Sequence, residues 1–237
     1  MKSKQNAVWI TGASSGIGKS ISLEFAKHDK NLILTSRKKA PLERVKKEID
    51  NDKINVETVP FNISNINEVT DNFNSVSENY NVECLINNAG VTSFTLAEKD
   101  SVKQIKDIIE TNLLGAVYMI KSVIPAMIKR KKGTIINIQS VAAKKIFTKS
   151  SAYAASKAGL TAYSKVLREE LREYNIRVID VFPGPTKTPI WPNESLEKYS
   201  DRMMSPDEIA KFIYNTYAIN SNMVVEELVL RPMKGDL

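Results

Sequence analysis

Residues 7–18 read Ala7-Val8-Trp9-Ile10-Thr11-Gly12-Ala13-Ser14-Ser15-Gly16-Ile17-Gly18, and the order of residue types in them points to a fold class. The first five are apolar and partly β-branched, the composition of a short buried strand. Three glycines follow at once, and beyond them Ile21, Phe25 and Ala26 recur at helical spacing. Strand, glycine-rich turn and helix in that order make a phosphate-binding entry. Glycine lets the backbone come close to a pyrophosphate, and the unpaired N–H groups of a helix start face its negative charge. The spacing is Gly-x3-Gly-x-Gly rather than the commoner G-x-G-x-x-G. The alternative is a tight turn with no ligand.

The rest of the chain repeats this alternation. Strands are predicted at 31–35, 56–59, 84–87, 134–138, 177–182 and 224–230. Helical patterns cover 41–50, 66–80, 102–130, 151–174 and 205–219. Strands and helices alternating at this interval imply parallel pairing with right-handed crossovers. The expected fold is an α/β, doubly wound, seven-stranded parallel sheet of Rossmann type, in a single domain over 1–237. Ligands of such sheets bind at the carboxyl ends of the strands, where the glycine turn, Arg37, Asn62 and Asn88 fall. Gly115 and Pro125 interrupt the 102–130 pattern, which is two helices or one kinked helix. Residues 186–205 are polar with Pro189, Trp191 and Pro192, and read as a mobile flap or a short helix. Ser205-Pro206-Asp207-Glu208 carries a cap, a proline and an acidic first turn, the signature of a helix start.

Composition narrows the chemistry. Of 237 residues, 42% are hydrophobic and the formal charge is +7. The basic residues are spread among 27 acidic ones, and no basic face interleaved with aromatics is found, so no nucleic-acid partner is expected. Lys129-Arg-Lys-Lys132 suits the end of a helix. The one cysteine, Cys84, lies in an apolar run and reads as a small core residue. The one histidine, His28, sits in a charged helix end, and no cysteine–histidine cluster offers a metal site. The start of the chain, 1–6, is polar without an apolar signal core. No uninterrupted apolar run approaches the ~20 residues that span a bilayer. A cytoplasmic protein with no membrane partner is expected.

Two places carry the chemistry. Tyr153 and Lys157 are four residues apart in a helical pattern and share a face. A phenol needs about three pKa units of help to ionise near neutral pH, and an ammonium one turn away favours the phenolate. Such a phenol can give a proton to a developing alkoxide or take one from an alcohol. Tyrosine and lysine also meet at this spacing on many surface helices. The second place is Ser36-Arg37 after the second strand. An acid there would hold ribose hydroxyls and repel a 2′-phosphate; Ser36 and Arg37 accommodate one. The reading is NADP(H) rather than NAD(H); a solvated basic loop is the alternative.

Together these residues resemble the short-chain dehydrogenase/reductase family over nearly the whole chain. Thr11-Gly-Ala-Ser-Ser-Gly-Ile-Gly18 is similar to its cofactor motif and Asn87-Asn-Ala-Gly90 to its strand-four motif. Asn112, Ser140, Tyr153-x-x-x-Lys157 and Pro183-Gly184 match in order and spacing. The resemblance implies a catalytic tetrad. Tyr153 would act as acid or base, and Lys157 would lower its pKa and bind the nicotinamide ribose. Ser140 would hydrogen-bond the substrate carbonyl, and Asn112 would hold a relay water. It also implies cofactor contacts at Gly12, Ser14, Ser15, Gly16, Ile17, Gly18, Ser36, Arg37, Asn62, Ile63, Asn88, Ala89 and Gly90, at Tyr153 and Lys157, and at Pro183, Gly184, Thr186 and Thr188. Asn62 stands where the family usually has Asp, and Thr186 where it often has Val or Ile; neither change touches the tetrad.

The implied activity is hydride transfer between NADP(H) and a carbonyl or secondary alcohol. The carboxyl-terminal stretch 226–232 lacks the glycine-rich ending common in 3-oxoacyl reductases. It is more similar to reductases of small hydroxy acids and assorted carbonyls. A 3-oxoacyl-[acyl-carrier-protein] reductase is the alternative, with Lys144, Lys145 and Lys149 facing an acidic carrier. A catalytically silent dinucleotide sensor is the non-enzyme alternative, and it predicts a damaged tetrad. Besides Ser140 and Tyr153, the expected substrate wall is Phe147, Ile190 and Trp191, with residues near Phe94. A homodimer or homotetramer is implied by resemblance.

Overall fold

β1 (Gln5–Thr11) sends alternate side chains to opposite faces of the sheet. Ala7 and Trp9 enter one core, Val8 and Ile10 the other. All four are buried, which is why the stretch is apolar throughout rather than alternating. β2 (Asn31–Thr35) and β4 (Tyr80–Asn87) flank it, both parallel to it. β3 (Val56–Thr58) lies outside β2; β5 (Gly133–Ile138), β6 (Ile176–Pro183) and β7 (Glu227–Leu230) continue beyond β4. The order β3-β2-β1-β4-β5-β6-β7 is parallel throughout, the doubly wound sheet expected from the sequence. This computed structural model describes residues 4–219 and 222–237. Half of the polar 1–6 stretch, residues 1–3, lies outside the described residues.

The two faces are covered by different helices. α1 (Gly16–Lys27), α2 (Lys39–Glu48) and α8 (Pro206–Ala218) bury Ile21, Phe25, Leu42, Val45, Ile209 and Ile213 with the Val8 and Ile10 face. α3 (Ile66–Asn79), α5 (Ala116–Arg130) and α6 (Ser151–Leu171) close the Trp9 face with Val69, Val76, Met119, Val123, Met127 and Leu167. The chain winds outward from β1 to β3, then returns across β1 to begin again at β4. That reversal opens a crevice at the carboxyl ends of β1 and β4.

Several boundaries differ from the sequence reading. β4 begins at Tyr80 rather than 84, because Tyr80 and Asn81 pair with Gln5 and Asn6 at the polar end of the sheet. β7 begins at Glu227 rather than 224. The 102–130 pattern resolves into α4 (Val102–Ile109), a π-helical turn Glu110–Gly115, and α5, with Pro125 inside α5. By length and composition the run Val102–Arg130 could cross a membrane; in this fold its Met119, Ile120, Val123 and Met127 belong to the core. The flap contains α7 (Asn193–Tyr199), and its base is tied. Lys187 N–H donates to Met204 O at 3.0 Å, and Met204 N–H donates to Pro185 O at 2.9 Å. α8 starts as read, with Ser205 and Glu208 in a reciprocal capping box.

Candidate active site

The glycine turn is built against β4 as well as toward solvent. Gly12 and Gly16 have φ of 64° and 53°, the left-handed region that favours glycine. A Cβ on Gly18 would lie 2.3 Å from Gly12 O and 2.4 Å from Asn88 Nδ2. Asn88 Nδ2 donates to Thr11 O at 3.0 Å and Gly12 O at 3.1 Å, while Thr11 Oγ1 accepts from Asn88 N at 3.0 Å and Ala89 N at 3.1 Å. Side chain and backbone thus lock the ends of β1 and β4 together. Ser15 precedes α1 without capping it by its side chain. The first-turn N–H groups of α1 therefore lack that partner and are suited to an anion.

At the other end stand Ser140, Tyr153 and Lys157. Ser140 follows β5 and caps a short 3-10 turn, its Oγ accepting from Ala142 N at 3.1 Å. Tyr153 and Lys157 share a face of α6. Lys157 is 4% exposed, and its Nζ donates to Ile138 O at 2.7 Å. Burial pushes the Lys157 ammonium down to about 8. Burial also pushes the Tyr153 phenol up, and the Ser140 hydroxyl pulls the other way. This corrects the expectation that Lys157 lowers the phenol. Its Nζ lies 5.9 Å from the Tyr153 ring centroid and is engaged by a carbonyl, so desolvation outweighs attraction.

Asn112 lies in the π turn and is 1% exposed. Its Nδ2 donates to Val91 O at 2.8 Å and Ser156 Oγ at 3.0 Å, and its Oδ1 accepts from Val91 N at 2.8 Å. Both amide hydrogens are used, so the side chain has none left to donate to the expected relay water. The side chain clamps the loop after β4; Ser156 Oγ in turn donates to Tyr153 O at 2.7 Å.

A cavity of about 770 Å³ joins the two ends, within the range of small-molecule sites. Every cofactor, substrate and catalytic residue expected from the sequence lines it, except Gly18 and Asn112. Gly18 is spent on close packing and Asn112 on its clamp. Thr188 methyl carbon lies 3.1 Å from where a Gly16 Cβ would sit, so the flap's first residues touch the glycine turn. Thr92, Val141 and Leu237 also line the cavity. Their only signal in the sequence is proximity to motifs or, for Leu237, the acid beside it. Asp236 accepts from Lys145 Nζ at 3.0 Å and pairs with Arg231, and its carbonyl accepts from Arg202 at 3.0 Å. This ties the last residues to the flap and to the loop after Ser140.

These residues fit a dinucleotide phosphate. The uncapped α1 start and the Ser14 and Ser15 hydroxyls offer donors to a pyrophosphate. Arg37 is exposed on the same cavity, with Ser36 beside it and no acid at the end of β2.

The family described as short chain dehydrogenase matches residues 6–198. The chain is 35% identical over 236 residues to a sepiapterin reductase of Chlorobaculum tepidum, covering 96% of each. Among solved structures it resembles the closed form of a serine dehydrogenase complexed with NADP+. The TM-score there is 0.89 at 26% identity, over 98% of this chain and 96% of that one. It also resembles a metagenomic short-chain oxidoreductase in complex with NADP, with TM-score 0.84, 29% identity and 97% coverage of each.

Proposed function

The chain belongs to the short-chain dehydrogenase family, and on that footing we propose that it is an NADP(H)-dependent reductase of a small carbonyl compound, reversible to oxidation of the secondary alcohol. One observation carries the reading. A single cavity has Ser140, Tyr153 and Lys157 at one end and the open α1 start with Arg37 at the other. NADP-bound relatives and the missing acid after β2 support the cofactor.

NADPH, when bound, supplies the hydride. The chain's own residues handle the oxygen. Ser140 donates a hydrogen bond to the carbonyl oxygen as it gains charge, and Tyr153 gives it a proton. The Lys157 ammonium, mostly charged below its pKa of about 8, favours the phenolate left behind. Asn112 keeps the 90–92 loop and, through Ser156, the Tyr153 turn in place.

Two other readings are less well supported. An acyl-carrier partner needs free cations at the mouth, yet Lys144 pairs with Glu227 at 2.5 Å and Lys145 with Asp236. A silent sensor would not need the serine, tyrosine and lysine together in one cavity. Exposed Val102, Ile105 and Val166 on neighbouring α4 and α6 support a homodimer or homotetramer.

Tyr153→Phe tests the proposal. Turnover should fall about 10²–10⁴-fold, the range for a general acid, with NADPH binding kept. Unchanged turnover would remove Tyr153 from the chemistry.

A further inference from the structure

We infer that the cavity takes an uncharged carbonyl compound with a flat apolar face and rejects free carboxylic acids; this rests on the reductase reading above. Two independent observations converge on it. Phe94, in the loop after β4, and Trp191, in the flap, stack on each other with ring centroids 5.1 Å apart and 23° between planes. Both line the cavity, as do Phe147, Ile190 and Val141. Aromatic faces held by two separate segments suit a flat π system.

The second observation is charge. Among the described residues lining the cavity, the only charged side chains are Arg37 and Lys157, and each already has a place in the reductase reading. The nearest other ammonium, Lys145, lies 5.4 Å from the Phe147 ring centroid but is held at 3.0 Å by Asp236. Lys149 is exposed and flanked by the lining residues Thr148 and Ser150, yet is not itself part of the wall. A carboxylate entering here would give up water without gaining a cation, a far larger cost than burying an ester of similar size. The selection therefore runs against hydroxy-acid substrates, although a serine dehydrogenase shares the fold.

A matched set tests this: kcat/KM with NADPH for ethyl 3-oxo-3-phenylpropanoate and its free acid, and for ethyl 3-oxobutanoate and its free acid. Each ester should exceed its acid at least tenfold, and the phenyl ester should exceed the methyl one. Trp191→Ala should remove the phenyl preference while leaving NADPH affinity unchanged. An acid used as well as its ester overturns the inference, and loss of that acid activity in Lys149→Ala would identify the cation responsible. Equal use of phenyl and methyl esters overturns the flat-face half. If none is reduced, the reductase reading fails and binding decides the inference. Trp191 is one of two tryptophans and Trp9 is fully buried, so fluorescence quenching in the NADPH-free protein reports the cavity, with Trp191→Phe as control. Quenching by the phenyl ester alone upholds the inference; equal quenching by its acid, or none by either, overturns it.

Discussion

Asn112 and Val91 hold each other by a reciprocal pair of hydrogen bonds, N–H to Oδ1 and Nδ2–H to carbonyl, both 2.8 Å. Asn112→Ala should leave those backbone groups short of partners. The expected cost is about 1–3 kcal/mol for a buried polar group left unsatisfied, read as a lower midpoint in chemical denaturation. Turnover should fall too, although the side chain lines no part of the cavity. Wild-type stability together with wild-type turnover would count against the clamp.

Arg37 is the only cation lining the cofactor end of the cavity among the described residues. Arg37→Asp should lower the ratio of kcat/KM for NADPH over NADH by about 10–100-fold, the equivalent of a charge-assisted hydrogen bond worth about 1.5–3 kcal/mol. A ratio that does not move makes Arg37 a bystander.

Lys157 should titrate near pH 8 in the free protein, well below other lysines, because burial opposes its charge. Reductive methylation with a ¹³C label, followed by NMR, would show one such resonance, missing in Lys157→Met. The linkage has a definite sign. A base whose folded pKa is depressed holds fewer protons folded than unfolded between about 8 and its usual 10.5. Wild type should therefore gain stability relative to Lys157→Met as pH rises through that window. A flat difference would contradict the buried-ammonium assignment.

Arg168 and Asp180 form an ion pair at 2.8 Å with side chains 7% and 0% exposed. Burial pushes the Asp180 carboxyl up despite Arg168 and Gln139. Gln139 Nε2 donates to Asp180 at 2.9 Å, so the pair also steadies the residue before Ser140. Arg168→Met should cost about 3–5 kcal/mol, the penalty of stranding a buried charge. Adding Asp180→Asn should recover part of that loss in denaturant midpoints. Equal stability of single variant and wild type would refute the penalty.

The fold was legible where a local pattern sufficed. The residues of β1 had to be apolar on both faces, and the glycines had to follow, because two layers and one turn demand it. Tyr153, Lys157 and Ser140 were legible through spacing and order. What escaped was set by neighbours distant in sequence. Nothing local says that the Asn112 amide is spent on Val91, or that Lys144 and Lys145 are claimed by Glu227 and Asp236. The Tyr153 shift was misjudged for a related reason: helical spacing shows which groups face each other but not how dry their surroundings are.

The π turn at Glu110–Gly115 closes its hydrogen bonds one residue later than an α-helix does. Deleting a residue there would straighten the rod, but every side chain beyond it would swing by about 100° around the axis. Met119, Ile120, Val123 and Met127 would then face away from the sheet they now cover. The detour is thus a spacer whose length is indexed to half the molecule. Descendants of this chain can exchange letters within it, but they cannot gain or lose one without dismantling the wall behind it.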